Sequence, residues 1–547
     1  MAVSAKAASL TVPVLKAVRL TALAAVVLAA PLAGQSADVR LEATAGSEAE
    51  QYLRVLQVSG RAPLYPWSLR AFSPAELDRL VGREAAHPWA ARTGRDSAAR
   101  GAGLRVIRPG VGLVFNATAP DGGNDGPVWA GRGVTAMASA GVSLRAGPLS
   151  LRVEPQAFWA QNQAFALMDN GREGRLRFAD PQVPGGIDAP QRFGDRPYAR
   201  LDPGQSTLRL DVLGLAAGLS TANQQWGPGD EYPLVLGTNA GGFLHAFAGT
   251  ATPWNLGIGR VHGRVIWGAA EQSAYSSAEG QGRRLVTGLV GVFVPFGLDG
   301  LEVGGSRFFH TTWPAGGLSA DHLLQPFQGF LKAGLDSTGV GSDKRSSPDN
   351  QVASVFARWV LPGSGAEFWG EYLRNDHNWD ALDFVLEPDH SSGYALGGRK
   401  VWERGGRLVS LRAEWLDTQP SHLLLTGRGQ GVMYSHSRSR QGHTHRGQIL
   451  GSPAAFGGGG GTLALDVFHD AGRWSVDLAR TRVRGPVTRT PSPDEKVDVV
   501  HSLGGEALLF RPGFDLLLRV RAGYEMNRHY AGDAVNVSAA VGGRIGF

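Results

Sequence analysis

From about residue 104 to its last residues the chain alternates apolar and polar positions. In "LSLRVEPQAFW" Leu149, Leu151, Val153, Ala157 and Trp159 oppose Ser150, Arg152, Glu154 and Gln156. In "RLVSLRAEW" Val409, Leu411, Ala413 and Trp415 oppose Ser410, Arg412 and Glu414, and in "FDLLLRVRAGYEM" a face from Phe514 to Met526 opposes Asp515, Arg519, Arg521 and Glu525. The run "LRLDVLGLAAGLS" at 208–220 reads as another such strand, and the closing "VNVSAAVGGRIGF" alternates on a parity that ends at the aromatic Phe547. A period of two with unlike faces is the period of a β-strand. A soluble sandwich would also alternate, but these strands exceed the roughly five or six residues usual there. They match the about 9 to 11 that a tilted strand needs to cross a bilayer. Trp159, Trp415 and Tyr524 sit toward the ends of apolar faces, as interfacial girdles do, while the polar faces carry charges of both signs, as a lumen wall does. Short connections such as "LDG" at 298–300 contrast with long ones at 321–350, 417–462 and 484–499. The expected fold is an all-β transmembrane antiparallel β-barrel of about 16–18 strands over residues 104–547.

The first hundred residues follow another period. Lys6, Lys16 and Arg19 precede the apolar run "LTALAAVVLAA" and the small-residue stretch "PLAGQSA", the layout of a secretory signal, so residues 1–37 are expected to be an export signal. Residues 38–103 are expected to form a small α-helical periplasmic segment. Ser47 with Glu50 forms a capping-box pattern ahead of Tyr52, Val55 and Leu56. Ser73, Pro74 and Glu76 repeat the device ahead of Leu77, Leu80 and Val81. Neither helix can bury its stripe alone, so they must pack on each other or on the mouth of the barrel.

Composition narrows the classes. With no cysteine there are no disulfides, thiolate metal sites, cysteine nucleophiles or lipid-bearing cysteine. A net charge of +6 over 547 residues, with signs interspersed, gives no basis for nucleic-acid binding. No GxSxG elbow, HExxH, Walker loop or dinucleotide fingerprint stands in a suitable context, so no catalytic residues, metal or cofactor are expected.

Three patterns carry candidate chemistry. "NQQWGPGDEYPLVLGTNAGGF" at 223–243 puts Trp226 in a sharp turn, either packed there or offered as a platform for a sugar ring. "AEFWGEYLRNDHNWDALDFVLEPDHSSGYALGGRKVW" at 366–402 concentrates seven acids, among them Glu367, Glu371 and Asp376, and includes His390. They fit a polar lumen wall or solvated loop better than a glycosidase pair. "YSHSRSRQGHTHRGQILG" at 434–451 places His443 and His445 on one strand face, but neighbouring arginines such as Arg446 would repel a cation. A loop that hydrogen-bonds an acidic or hydroxyl-rich ligand is the better functional reading.

Together with "RPGVGLVFNATAPDGGNDGPVWAGRG" at 108–133 and "QAFWAQNQAF" at 156–165, the "QWGPG", "GEYLRND", "EPDHSSGYALG" and "HTHRGQILG" stretches resemble the capsule-assembly Wzi family. The resemblance implies an outer-membrane barrel of about eighteen strands with a small periplasmic helical bundle, acting as a lectin for capsular or exopolysaccharide. On that basis Trp226, Asp376, His390, His443, His445 and Arg446 are the candidate ligand-binding residues. Expected partners are the polysaccharide, outer-membrane lipid and lipopolysaccharide, the outer-membrane barrel assembly machinery and a polysaccharide export channel. The competing function is a diffusion porin, which an open lumen would favour and a plugged one would not.

Overall fold

The computed structural model describes residues 42–81, 87–93, 103–278, 282–328, 350–375, 385–386, 388–420, 431–437, 439–483 and 497–546. Asp376, Phe547 and residues 1–37 lie outside them. Eighteen antiparallel staves close into one barrel among the described residues. In chain order they begin with β1 Gly103–Asn116, β2 Gly133–Ala146, β3 Leu149–Val153 with Gln156–Ala160, and β4 Tyr198–Asp202 with Thr207–Val212. They continue as β5 Leu215–Ser220, β6 His245–Thr250 with Trp254–Asn255, β7 Gly259–Glu271, β8 Arg283–Pro295 and β9 Leu301–Thr312. Then come β10 Asn350–Leu361, β11 Ala366–Asn375, β12 Ser392–Arg404, β13 Arg407–Asp417 and β14 Gly459–His469. The last are β15 Gly472–Arg482, β16 Val499–Arg511, β17 Phe514–Arg528 and β18 Gly532–Ile545. The barrel closes where β1 pairs β18, with Gly110 opposite Arg544 and Asn116 opposite Ser538.

The alternation sorts side chains as the sequence predicts. Leu411, Trp415, Val520, Tyr524, Val535 and Val537 point outward and are exposed on the protein alone, as lipid-facing residues must be. Arg358, Glu367, Glu371, Arg399 and Glu414 point inward and are buried. Two elements depart from expectation. The run 208–220 is a hairpin, because Leu213 and Gly214 take positive φ of 51° and 81° and join β4 to β5 by a tight turn. The glycine run at 457–461 is only partly loop, since Gly459 opens β14 against Asp417.

The inward charges are buried because the lumen is filled from both ends. At the short-turn end lie α1 Glu48–Val58, α2 Pro74–Leu80 and α3 Ala90–Thr93. The α2 capping box forms as predicted. At α1 only half of it does: Ser47 accepts from the Glu50 amide, while the Glu50 carboxylate takes the Gly46 N–H at 2.7 Å. Helix α1 is buried around its circumference, from Tyr52 and Leu53 to Val55, Leu56 and Val58, because it lies inside the barrel mouth. With Trp67, Trp89 and Leu80 it packs on Val360, Val401, Leu408, Phe468, Leu508 and Phe510 of the wall. The indole N–H of Trp89 donates to the carbonyls of His469 and Gly472 at 3.0 and 3.1 Å.

Ion pairs lock this plug to the staves. Arg54 reaches Glu367 at 2.9 Å, Arg358 bridges Glu367 and Glu302, and Glu302 accepts from the Trp67 amide at 2.8 Å. In α2, burial raises the Glu76 pKa, but the hydrogen bond and charge of His262, with Arg209 and Arg264, hold its carboxyl down to about 2. Glu367→Ala leaves three buried guanidinium groups, of Arg54, Arg358 and Arg399, without their shared carboxylate, a change of the class that costs about 3–5 kcal/mol. The expected result is a lower temperature for loss of the compact band on unheated-sample gels, with Arg61→Ala, a partly exposed pair to Glu403, nearly silent.

Candidate functional site

From the long-loop end, residues 221–244 descend into the lumen and meet the plug. Leu69 pairs with Trp226 and Arg70 with Gln225 in a two-residue antiparallel ladder. The Arg70 guanidinium donates to the carbonyls of Gly227 and Gly229 at 3.1 and 2.9 Å. The Trp226 indole is wholly buried beside Phe308, and a Cβ at Gly288 of β8 would stand 2.7 Å from its ring, so the wall is glycine where the indole rests on it. Trp226 therefore has no free face for a sugar; its role is packing, because the turn that carries it ends inside the barrel.

Residues 431–437 and 439–456 cover this descending loop. His443 Nε2 lies 2.6 Å from the Val235 carbonyl and its Nδ1 2.8 Å from His310 Nε2, while Gly237 N–H donates to Leu450 and Ser452 N–H to Pro233. His445 Nδ1 accepts from the Glu271 amide at 3.1 Å. Both rings are buried; His443 spends both nitrogens on the protein itself and His445 spends its Nδ1 there, so neither presents an open face to a ligand. Arg446 keeps part of its surface but is braced by Glu271 at 2.7 Å and Asp202 at 3.1 Å. His390 is half-buried in the turn before β12. The predicted residues thus do not converge; those described mostly close the mouth.

The open chemistry lies beside them, in a cavity of about 420 Å³ formed by the β3–β4 loop, residues 161–197, and Tyr275 of the β7–β8 loop. Asn162, in the left-handed region at φ 51°, donates through Nδ2 to the carbonyls of Phe193 and Arg196 at 3.0 and 2.9 Å, fixing the rim. Asp188 ties the two loops by accepting from the Ser273 amide and hydroxyl at 2.6 and 2.5 Å. The floor is aromatic: Phe193 stacks on Tyr198 at 4.6 Å and meets Tyr275 edge-on at 6.0 Å, and Phe178 meets Tyr275 at 5.7 Å. Gly194, at φ 78°, is required here, since a Cβ would stand 2.4 Å from the Tyr275 hydroxyl. The rim is cationic. Arg177 pairs with Asp195 at 2.6 Å, whereas Arg175 and Arg196 have no carboxylate partner among the described residues.

This volume falls within the roughly 300–1,000 Å³ of small-ligand sites. Guanidinium forks recognise carboxylates and hydroxyl pairs, and tyrosine rings offer a flat apolar face with a polar edge. Sequence reasoning missed these residues. The signal available was the spacing of arginines and aromatics in "GREGRLRF" and "RFGDRPYARLD".

The family model described as "Capsule assembly protein Wzi" matches residues 122–483. The chain belongs to the Wzi capsule assembly family. Among solved structures, Wzi of Escherichia coli is similar at 13% identity and a TM-score of 0.60, over 91% of this chain and 98% of that one. It is described as an outer-membrane protein involved in group 1 capsule assembly and as a carbohydrate-binding β-barrel. Pseudomonas aeruginosa OccK5 is similar at 7% identity and a TM-score of 0.39, covering 82% of this chain and 99% of that one. Acinetobacter baumannii OccAB3 gives 9% and 0.38, over 80% and 99%. No curated protein matches the chain. A Wzi-family barrel with a lipid-facing outer wall is an outer-membrane protein.

The buried histidines give the mouth a pH dependence. Burial, aided by Arg284 and opposed by the Val235 carbonyl, lowers the His443 pKa from 6.5 to about 4, so the folded loop refuses a proton that the unfolded segment accepts. Stability of segment 431–456 is therefore full above about pH 6.5 and declines as pH falls toward 4. Limited proteolysis of the detergent-solubilised barrel at pH 7.5 and 5.0 is expected to cut this segment faster at the lower pH, with the difference reduced in His443→Gln.

Proposed function

We propose that this Wzi-family barrel holds a surface polysaccharide at the outer membrane as a non-enzymatic binding protein. The observation that carries the reading is the pairing of a filled lumen with a cationic, aromatic-floored cavity at its outer rim. The lumen is occupied by the helical plug and the descending 221–244 loop, which disfavours a diffusion porin. Among the described residues one carboxylate, Asp195, lines the cavity, and Arg177 holds it, so the two-carboxylate arrangement of glycoside hydrolysis has no support there. The family membership and the carbohydrate-binding description of the E. coli relative support a capsular or related polysaccharide. Sugar rings rest on Tyr198 and Tyr275, and Arg175, Arg177 and Arg196 donate to their carboxylates or hydroxyls. Arg446 and His390 serve as secondary contacts. In this reading residues 1–37 direct export and the helical plug faces the periplasm, the side on which assembly machinery and an export channel would meet it.

The test is equilibrium binding of the organism's own purified surface polysaccharide to the purified barrel, with parallel retention on intact cells. Arg175→Ala with Arg196→Ala is expected to weaken binding about tenfold or more, since charge-assisted hydrogen bonds are worth about 1.5–3 kcal/mol each. Tyr275→Ala should weaken it further while the barrel keeps its heat-dependent gel shift. Undiminished binding by these variants would move the site elsewhere; absence of binding by the wild type, with steady single-channel conductance, would favour the porin.

A further inference from the structure

The lipid-facing wall carries a feature that the rim cavity does not explain. Across β13 to β17 the register sets Trp415 opposite Gly461, Gly461 opposite Arg480, Arg480 opposite His501, and His501 opposite Tyr524. One step inward on the same face lies an apolar row, Ala413, Leu463, Leu478, Leu503 and Ala522. Leu463, Leu478 and Leu503 are each about half exposed on the protein alone. These residues line an open groove of about 1,010 Å³ on the outer wall. Arg480 and His501 are exposed and, among the described residues, have no acidic partner. Asp533, beyond Tyr524, is engaged by the Tyr524 hydroxyl and the Asn527 amide.

An arginine on the lipid face costs most at the bilayer midplane and least near the interface. Trp415 and Tyr524 flank Arg480 and His501, as aromatic residues do at that interface. Beyond this row lie the long connections, 418–458 and 483–498, which mark the outer surface. Arg480 and His501 thus sit at outer-headgroup depth, directly above a groove that only acyl chains or a protein could fill. A second copy is disfavoured. A symmetric pair about an axis along the membrane normal would set Arg480 against its own equivalent at one depth, like charge facing like charge.

We propose that this groove binds one phosphorylated, multiply acylated glycolipid of the outer leaflet. Its chains lie along Leu463, Leu478 and Leu503, and its phosphate is held by Arg480 and His501. Arg482, one step further out on β15, extends the cationic edge.

The experiment uses the full-length barrel in non-ionic detergent, titrated with bisphosphorylated lipid A and read by native mass spectrometry. The expected result is one retained lipid, bound at least about tenfold more weakly by the Arg480→Ser/His501→Ser double variant. Phosphate-free lipid A should bind the wild type as weakly. Leu478→Trp, which keeps the cations but fills the groove, should weaken binding as well, and all variants should keep the heat-dependent gel shift. Inorganic phosphate should not compete. Equal binding by the double variant, equal binding of phosphate-free lipid A, or equal binding of phosphatidylglycerol would overturn the proposal, the last by showing anionic-lipid adsorption alone. Polysaccharide binding is read separately through the rim variants, so failure here leaves that result standing.

Discussion

A closed barrel of eighteen staves has an inner wall that must be either wet or answered, and in this chain it is answered. The ladder of Leu69 with Trp226 is where that happens, because it joins a plug entering from the short-turn end to a loop entering from the other. Around it the buried charges close on one another: Arg54 and Arg358 on Glu367, Arg358 on Glu302, and Arg399 and Arg412 on Asp230 of the descending loop. Each would be costly alone in a water-poor interior, and each is tolerable only because plug and loop arrive together. The plug and the loop are therefore mutually required rather than separately docked.

This constraint determines where a ligand can be met. The 221–244 and 431–456 segments direct their polar groups downward and toward each other, through Gly237 to Leu450, His443 to Val235 and Ser452 to Pro233. What remains free at the mouth is the 161–197 loop, which is held rigid by Asn162 and Asp188 yet leaves Arg175 and Arg196 uncommitted. Binding groups on a loop fixed by a stiff scaffold lose little freedom when a ligand arrives.

The strands were legible because a bilayer and a polar lumen impose a period of two over long distances, and the two helices because their caps are local. The hairpin within 208–220 was also visible in principle: the apolar parity moves from Leu208, Leu210 and Val212 to Leu215, Ala217 and Leu219, a shift that a two-residue turn produces and a continuous strand cannot. Trp226, His443 and His445 were misplaced for a different reason. A "WGPG" turn or an alternating pair of histidines has the same local sequence whether it faces water or the inside of a barrel, and only the long-range contact with Leu69 or His310 decides. The rim arginines escaped notice for the converse reason: an arginine among acids of similar number looks solvated until the fold shows which ones have partners.

As the polysaccharide site proposed above, a cavity of this size would grip a polymer over only a short length, and so a single site would have little area from which to draw affinity. The membrane changes that arithmetic. Barrels inserted in one orientation present identical rim cavities in a plane, and a repeating polysaccharide presents identical units along its length. After the first contact the remaining contacts are made at the high effective concentration set by the polymer's own spacing, so retention grows with the number of barrels engaged rather than with the tightness of any one. A filled lumen serves that purpose better than an open one, because every loop tied downward stiffens the rim on which those repeated contacts depend.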